Sequence, residues 1–255
     1  MIDPSWAWPA FIIWTGLACI CFFILMYIRA PYGRHQQAGW GPTIPARSGW
    51  VLMEACSLLV MVGLFLISSA NGTLALAGLS LWVFHYSYRS FIYPARAQLD
   101  HKTMPLLVAA LAILFNVANA TFNGLALFFW QPESTANLSL GAPVLTAFLL
   151  FALGFCLHVH SDQVLRELRT SGTSTSNDYS IPGNGLHRWV ASPNYLGELI
   201  QWLGFALLVN NPAGWSFFIW TAANLVPRAI ANRAWYRTTF TDYPKHRKIL
   251  IPFVF

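Results

Sequence analysis

All of the positive charge of this 255-residue chain lies in four short segments, which alternate with long apolar runs. A run of about 20 apolar residues is long enough to cross the roughly 30 Å hydrocarbon core of a bilayer. Only 9% of the residues are charged and 56% are hydrophobic, whereas soluble proteins carry about 25% charged residues. The sequence therefore predicts an all-α, polytopic membrane protein. The net charge of +6 does not indicate nucleic-acid binding, because the basic residues are spread thinly between apolar segments.

Seven apolar segments have the length of a membrane span, and together they predict a single membrane domain over residues 1–255. Polar turns that are too short for anything but hairpin connections join the second span to the third and the sixth to the seventh. The first run has no basic region before it, so we expect a mature span and not a cleaved signal peptide. The predicted spans cover approximately residues 8–28, 50–69, 72–92, 105–130, 143–161, 194–210 and 212–230.

The basic residues also predict an orientation. If the N-terminus is outside, all 15 Lys and Arg residues fall on the inside, and the outside segments contain none. Because cytoplasmic loops are enriched in Lys and Arg, the C-terminus is expected on this positive, cytoplasmic side. The inside residues are Arg29, Arg34, Arg47, Arg89, Arg96, Lys102, Arg166, Arg169, Arg188, Arg228, Arg233, Arg237, Lys245, Arg247 and Lys248.

Cysteines and most histidines are interpreted as structural residues. The four cysteines lie in apolar segments without CxxC spacing, which indicates packing and neither a disulfide framework nor a zinc site. His158 and His160 have the spacing of a metal pair, but seven scattered histidines do not form the clusters of a membrane di-iron enzyme, so we expect no metal. His85, Tyr88 and Tyr93 lie near a predicted span end and are interpreted as interfacial anchors.

The polar residues of the predicted spans lie in the inside half of the bundle, and the outer half is nearly featureless. Glu54 and Tyr86 lie one to two turns from the inside, on two spans that form a hairpin, so we expect them at similar depth. Asn194 and Glu198 lie four residues apart on one face of the sixth span, after a predicted N-cap at Ser192. Carboxylates inside a membrane span are costly and indicate a functional site.

The remaining polar groups predict a pocket for two kinds of ligand. His158 and Asp162 share one helix face, and Asn224, Arg228 and Asn232 recur at four-residue spacing. A deeper apolar and aromatic wall suits a lipophilic substrate that arrives from the bilayer. No GxGxxG motif follows a strand, so a dinucleotide would not be bound by a Rossmann unit. The cations expected at the inside rim, which suit a phosphorylated cofactor, are Arg169, Arg228, Arg233, Arg247 and Lys248.

Several segments occur in the order and spacing of a known family. They are HSDQVLRELR (160–169), YSIPGNGL (179–186), SPNYLGE (192–198) and FTDYPKHRKILIPFVF (240–255), with PYGRH (31–35) upstream. This combination resembles the steroid 5α-reductases (3-oxo-5α-steroid 4-dehydrogenases), as a bacterial-type member. The 192–198 segment alone is shared with sterol reductases, enoyl-CoA reductases and isoprenylcysteine methyltransferases, and the C-terminal segment makes the combination specific.

The resemblance implies a seven-span, NADPH-dependent 3-oxo-Δ4-steroid reductase. It implies that Glu54 and Tyr86 polarise the 3-keto oxygen of the substrate, that hydride reaches C5, and that C4 is then protonated. Trp50 and Met53 are expected to contact the substrate. The residues implied in cofactor binding are Asn194 and Glu198 at the nicotinamide, with Asp162, Arg169, Arg228, Tyr236, Arg247 and Tyr32 at the ribose and phosphate groups.

Three positions depart from the family pattern, in which Gln, Arg and His are usual: Met53, Ser180 and Asn232. They leave the preferred steroid and one phosphate contact open. Three alternatives remain: a reductase of another lipid enone, such as an enoyl-CoA or a sterol; an isoprenylcysteine-type methyltransferase; and a lipid-binding or transport protein without catalysis. We expect a multi-pass monomer of a bacterial inner membrane or an endoplasmic reticulum membrane, with no nucleic-acid partner.

Overall fold

Long helices make up most of the structure, a computed structural model that describes residues 7–29, 31, 33–35, 37, 39–131, 136–170 and 179–255. The long helices are α1 (Ala7–Tyr27), α2 (Ala46–Ile67), α3 (Thr73–Ser87), α5 (Leu106–Phe128), α6 (Ala142–Thr170), α7 (Pro193–Val209) and α8 (Pro212–Thr239). The short elements are the strands β1 (Thr43–Pro45) and β2 (Thr103–Pro105), a π-helix (Tyr88–Ile92), α4 (Tyr93–Arg96) and two 3₁₀ turns (Gly33–His35 and Gly185–Arg188).

The predicted helical architecture is confirmed, and every predicted span coincides with a helix. α3, the π-helix and α4 run on without a break, while α6 and α8 extend beyond their predicted ends to Thr170 and Thr239. Within the part of the chain that the structure describes, four helices (α1, α2, α5 and α6) are long and apolar enough to cross a membrane. The count of seven crossings and the orientation of the termini stay predictions.

Large apolar side chains point outward from these four helices. Ile12 of α1, Leu66 of α2, Leu114 of α5 and Leu149 of α6 are each more than 60% exposed. Soluble monomers rarely expose contiguous apolar surface of this kind. Contact with lipid hydrocarbon explains why these side chains lie on the surface.

α6 and α7 pack with their backbones in close contact. A Cβ atom added at Gly197 would lie 2.5 Å from the backbone nitrogen of His158, and one added at Gly204 would lie 2.5 Å from that of Phe151. Gly154 of α6 faces the same interface. Small residues allow this approach between membrane helices. The packing fixes the first turn of α7 against the polar end of α6.

α1 packs against α8, the last long helix of the chain. The Trp14 and Trp220 rings have centroids 4.8 Å apart, and Trp220 Nε1 donates a hydrogen bond of 3.0 Å to the Trp14 carbonyl oxygen. The hydroxyl groups of Thr15 and Ser216 are 2.9 Å apart. These contacts hold α1 at the side of the bundle where α8 lines the interior.

An aromatic cluster fills the centre of the bundle. Trp82 of α3, Trp202 and Phe205 of α7 and Phe217 of α8 contact one another, with ring centroids 4.3–5.6 Å apart. Trp82, Trp202 and Phe205 are at most 1% exposed. Aromatic pairs at these separations add to the stability that burial of their area provides.

Two features of the fold were not predicted. β1 and β2 form an antiparallel ladder in which Ile44 pairs with Met104, so the fold is not purely helical, and the ladder joins the segments that precede α2 and α5. The expectation of a nearly featureless outer half was wrong as well. Asn119 and Asn123 of α5 are each 1% exposed, and Asn123 Nδ2 donates to the Asn119 backbone oxygen at 3.0 Å. This internal hydrogen bond lowers the cost of burying the pair.

The turn before α7 contains a buried histidine with a pH-dependent contribution to stability. His187 Nε2 donates to the Ser161 carbonyl oxygen at 3.3 Å, and burial lowers the pKa of His187 from 6.5 to about 4. The unfolded chain therefore binds more protons than the folded chain between these values. We expect the contribution of His187 to the free energy of unfolding to be fully present above pH 6.5 and to be lost as the pH falls toward 4.

His187→Gln tests this expectation, because the glutamine amide can donate to the same carbonyl but does not titrate. The melting temperatures of the two proteins in detergent should differ most at pH 7. The difference should be smaller at pH 5, because the wild type is then losing the contribution of the neutral histidine. If the melting temperature depends on pH in the same way in both proteins, His187 is not the source of that dependence.

Candidate active site

A cavity of about 600 Å³ opens between the helices at the end where the basic residues lie. This volume is in the range of small-molecule sites. Its wall contains the predicted polar residues together with apolar and aromatic side chains, among them Trp50, Met53, Phe115, Phe217 and Trp220. The cavity therefore offers an apolar ligand a surface that ends in ionisable groups.

Glu54 lies in this wall as half of an ion pair. It is 8% exposed, and its Oε1 is 3.3 Å from Arg89 Nη2. The Arg89 guanidinium lies 4.7 Å from the Trp50 ring centroid and 5.1 Å from that of Tyr93, and Trp50 Nε1 donates to the Arg89 carbonyl oxygen at 3.1 Å. Arg89 belongs to the π-helix, an irregularity that is frequent at functional sites. Arg89 contacts Oε1, which leaves Oε2 for a ligand.

Tyr86, the second predicted catalytic residue, is one turn before Arg89 and lines the same cavity. Its ring stacks on Trp82 at 5.1 Å and contacts Trp202 at 6.0 Å. The aromatic cluster at the centre of the bundle therefore orients the phenol. Glu54 and Tyr86, as predicted from the depths of their two helices, face one cavity.

A second polar group joins α6 to the start of α7. Asn194 Nδ2 donates to Asp162 Oδ1 at 3.0 Å. His158 Nε2 is 3.3 Å from Asp162 Oδ2, and His158 Nδ1 is 3.5 Å from Glu198 Oε2. All four residues line the cavity. The predicted set Asn194, Glu198 and Asp162 is therefore brought together, with a histidine between the two carboxylates.

Two of the expected interfacial anchors are buried instead. His85 and Tyr88 are 2% and 8% exposed, because the His85 ring packs on Trp202 of α7 and the Tyr88 ring packs on Phe155 of α6. Gln201 Nε2 of α7 donates to His85 Nδ1 at 2.8 Å. Tyr93 contacts Trp50 at a ring distance of 5.0 Å and lines the cavity. The interpretation as anchors was wrong for His85 and Tyr88.

Ser192 precedes α7 as predicted, but its hydroxyl does not cap the helix. It accepts a hydrogen bond of 3.2 Å from Asn232 Nδ2, and His35 Nε2 donates to Asn232 Oδ1 at 3.1 Å. Burial lowers the pKa of His35, which favours the neutral imidazole. Asn232, which stands where the family has His, therefore links the 31–35 segment to α7.

A cluster of one arginine and three aromatic rings lies beside this link. The Arg34 guanidinium is 4.7 Å from the Tyr236 ring centroid, 5.1 Å from that of Trp235 and 5.6 Å from that of Tyr179. Arg34 lines the cavity. Its Nη1 and the Nε of Arg247 are buried and have no hydrogen-bond partner among the residues that the structure describes. Of the two, Arg34 lines the cavity, where a buried cationic donor fits a phosphate group of a nucleotide cofactor.

The other predicted cofactor residues differ in position. Arg228 lines the cavity, whereas Tyr236 and Arg247 do not; they are 2% and 6% exposed and lie behind Arg34 and Tyr243. Arg233 Nε donates to the Arg247 carbonyl oxygen at 2.8 Å, so these two cations do not form the exposed rim that was expected. Tyr32 and the side chain of Arg169 lie outside the described residues. The binding roles stay predictions.

Trp50 and Met53, the expected substrate contacts, both line the cavity. The backbone at Met53 is held from α5, since Asn116 Nδ2 donates to its carbonyl oxygen at 2.7 Å. Sequence reasoning missed the roles of Arg34, Arg89 and His158 in the site. The PYGRH segment contained a signal for Arg34, and the four-residue spacing from Asp162 contained one for His158.

Comparison with known proteins agrees with the motifs. The family model described as 3-oxo-5-alpha-steroid 4-dehydrogenase matches residues 102–255. The chain is 35% identical to steroid 5-alpha-reductase DET2 of Gossypium hirsutum over 91% of this chain and 90% of the relative. It is 34% identical to 3-oxo-5-alpha-steroid 4-dehydrogenase 1 of Bos taurus over 94% and 93%, and 32% identical to the Homo sapiens protein of that name over 94% and 92%. The predicted resemblance is confirmed: the chain belongs to the steroid 5α-reductase family and is an oxidoreductase that acts on CH–CH bonds.

Proposed function

We propose that this protein reduces the C4–C5 double bond of 3-oxo-Δ4-steroids with NADPH. The observation that carries the proposal is the position of Glu54 and Tyr86 together in the wall of one cavity that apolar and aromatic side chains also line. The relatives are named for reduction of steroids at this position. An apolar ligand with one oxygen at its end matches a cavity with this mixed lining.

The chemistry requires hydrogen-bond donors at the ketone. As hydride reaches C5, negative charge develops on the 3-keto oxygen, so a donor fixed there stabilises the transition state more than the ground state. The Tyr86 hydroxyl is one donor, oriented by its stacking on Trp82. Glu54 is the second when Oε2 carries a proton, because Oε1 is held by Arg89. Protonation of the resulting enolate at C4 completes the reduction.

The residues fit NADPH in three places. When bound, NADPH supplies the hydride that C5 accepts. Asn194 and Glu198 line the cavity and would hold the nicotinamide carboxamide through their amide and carboxylate groups, and Asp162 would accept a hydrogen bond from a ribose hydroxyl. Arg34 and Arg228 are cations of the cavity lining that support binding of the phosphate groups. The family resemblance adds Arg247, Tyr236, Arg169 and Tyr32 to this set.

We further propose a multi-pass monomer with seven crossings and the C-terminus on the cytoplasmic side. The support is the one-sided distribution of all 15 Lys and Arg residues. The continuous helical segment from Thr73 to Arg96 and the 28 residues of α8 add length enough for further crossings beyond the four that composition indicates. A steroid-like substrate would then enter from the bilayer.

A substrate panel tests the proposal. Protein purified in detergent should oxidise NADPH in the presence of testosterone or progesterone and form the 5α-reduced product, detected by mass spectrometry. Faster reduction of an enoyl-CoA or of a sterol would assign the enzyme to another lipid enone. Binding of S-adenosylmethionine without any NADPH oxidation would instead establish a methyltransferase.

A further inference from the structure

Residues 248–255 pack against the loop that precedes α7. Lys248 N donates to the Trp189 carbonyl oxygen at 2.8 Å, and Ala191 N donates to the Lys248 carbonyl oxygen at 2.9 Å. Val190 and Leu250, on the two sides of this contact, are 0% and 3% exposed. The 248–255 segment is therefore fixed at the first turn of α7, which is the inside end of a predicted span.

The segment ends in a turn of defined shape. The Phe255 carbonyl oxygen accepts from Leu250 N at 2.7 Å and from Ile251 N at 2.6 Å, and Phe255 N donates to the Ile251 carbonyl oxygen at 3.0 Å. Phe253 has a φ of +65°, in the left-handed region that bulky residues rarely adopt. Such a conformation persists only where the surrounding structure determines it. The side chains of this turn are therefore exposed by a fixed backbone.

Five apolar side chains of the turn and the loop share one surface, which we call the Trp189 patch. The Trp189 and Phe253 ring centroids are 5.0 Å apart, so the loop and the turn meet there. Phe253 and Val254 are each 72% exposed, which leaves most of their surface without a protein contact among the described residues. The patch consists of Trp189, Ile251, Phe253, Val254 and Phe255.

Basic side chains border the Trp189 patch. The Arg188 guanidinium lies 5.7 Å from the Trp189 ring centroid. His246 Nε2 donates to the Arg188 carbonyl oxygen at 3.2 Å, and its ring centroid is 6.2 Å from that of Trp189. Lys245, next to His246, is exposed, as is Arg188. Residues 240–255 contain one acidic residue, Asp242, so the border has a net positive charge.

This combination fits a lipid surface better than a protein partner. Membrane–water interfaces are enriched in Trp, and Lys and Arg are enriched on the cytoplasmic side. Apolar side chains beside basic ones bind to membranes that contain anionic lipids. The centre of a protein–protein interface, in contrast, is depleted in Lys. The patch also lies at the end of the bundle where the basic residues lie.

We propose that the Trp189 patch lies in the headgroup region of the membrane and binds anionic lipid. Its apolar side chains reach the acyl boundary, and Arg188 and Lys245 contact lipid phosphate groups. Because backbone hydrogen bonds join the patch to the residues before α7, bound lipid also restrains the start of that helix. Lipid binding here requires the bundle to lie in a membrane and is independent of which substrate the cavity takes.

Photo-crosslinking tests the proposal. The full chain with Phe253→p-benzoylphenylalanine is placed in nanodiscs of phosphatidylcholine and phosphatidylglycerol and irradiated, and its adducts are identified by mass spectrometry. We expect lipid adducts in which phosphatidylglycerol exceeds its share of the membrane by about fivefold, the effect of one basic residue at an anionic surface. Combining Arg188→Gln and Lys245→Gln should remove this enrichment.

Leu149→p-benzoylphenylalanine is the control, because Leu149 is 61% exposed in the apolar part of α6 and should give lipid adducts without enrichment. A cross-linked dimer would show that a second copy covers the patch, and an adduct within the chain would show that another segment covers it. No adduct at position 253, in nanodiscs where position 149 reacts, would show that the patch faces water. Each of these results, or lipid adducts without enrichment at position 253, would overturn the proposal.

Val254 is as exposed as Phe253 and provides a second position if the first variant does not fold. Adduct formation does not depend on turnover, so its outcome is separate from the test of the proposed function. A protein that forms the enriched adducts and reduces no steroid would retain the lipid site and lose the proposed reaction.

Discussion

Tyr86→Phe and Glu54→Gln are each expected to lower kcat for 3-oxo-Δ4-steroid reduction by about 10²–10³-fold, which is the effect of removing one donor from a site where an oxyanion develops. The two side chains lie in one cavity wall, and each is oriented by a separate partner: Trp82 stacks on Tyr86, and Arg89 contacts Glu54. Tyr86→Phe preserves shape, so its melting temperature in detergent should change little, whereas Glu54→Gln also removes the counter-charge of the buried Arg89 and should lower the melting temperature. Product formation at saturating steroid and NADPH measures the effect.

Matched controls are available on the same helices or beside them. Tyr88→Phe removes a hydroxyl from a buried tyrosine that does not line the cavity, and Glu167→Gln removes an exposed carboxylate of α6. Both controls should keep more than half of the wild-type kcat. Turnover at the wild-type rate in Tyr86→Phe and in Glu54→Gln would show that these residues are not catalytic, even if the steroid is confirmed as the substrate.

The largest effect on stability is expected at the glycines between α6 and α7. In Gly197→Ala the new methyl group would lie 2.5 Å from the His158 backbone nitrogen and 2.7 Å from the Gly154 carbonyl oxygen, and neither backbone atom can move without separating the helices. Overpacking of this kind costs up to about 3 kcal/mol. Because α7 carries Asn194 and Glu198, cofactor affinity should fall together with the melting temperature.

Gly63→Ala is the control for this substitution. Gly63 lies in α2 with no atom within 4 Å of an added Cβ, so alanine should change stability by less than about 1 kcal/mol, in the stabilising direction that helix propensity gives. Thermal unfolding of both variants in one detergent measures the difference. Equal melting temperatures for Gly197→Ala and Gly63→Ala would show that α6 and α7 can separate at low cost.

The helices were predictable because an uninterrupted apolar run contains enough information to define its own secondary structure. The same holds for the shared depth of Glu54 and Tyr86, which follows from the hairpin that connects their helices. The contacts that complete the site come from residues distant in sequence. Asn232 meets His35 across 197 positions and Ser192 across 40, and no local pattern encodes such a pairing.

Local irregularity of the helices was the second limit on what could be predicted from the sequence. The π-helix at Tyr88–Ile92 changes which face of the chain Arg89 occupies, and the α-helical spacing used to place polar residues does not anticipate it. His158 was interpreted as a structural residue at a helix end, because seven scattered histidines do not form the clusters of a membrane di-iron enzyme. Its position between Asp162 and Glu198 depends on how the glycines let α6 approach α7, and that approach is a property of the packed pair.

The contact between α1 and α8 has a consequence for biosynthesis. Trp14 and Trp220 are 206 positions apart, so at 5–20 residues per second the ribosome needs about 10–40 s to make the partner of Trp14 after Trp14 itself. Throughout that interval the Thr15 hydroxyl is without Ser216, and the Trp14 ring can pack on Phe115 and Phe122 of α5 but not on α8. Substitutions at Ser216 or Trp220 should therefore reduce the yield of assembled protein in cells by more than they reduce the stability of the molecules that do assemble.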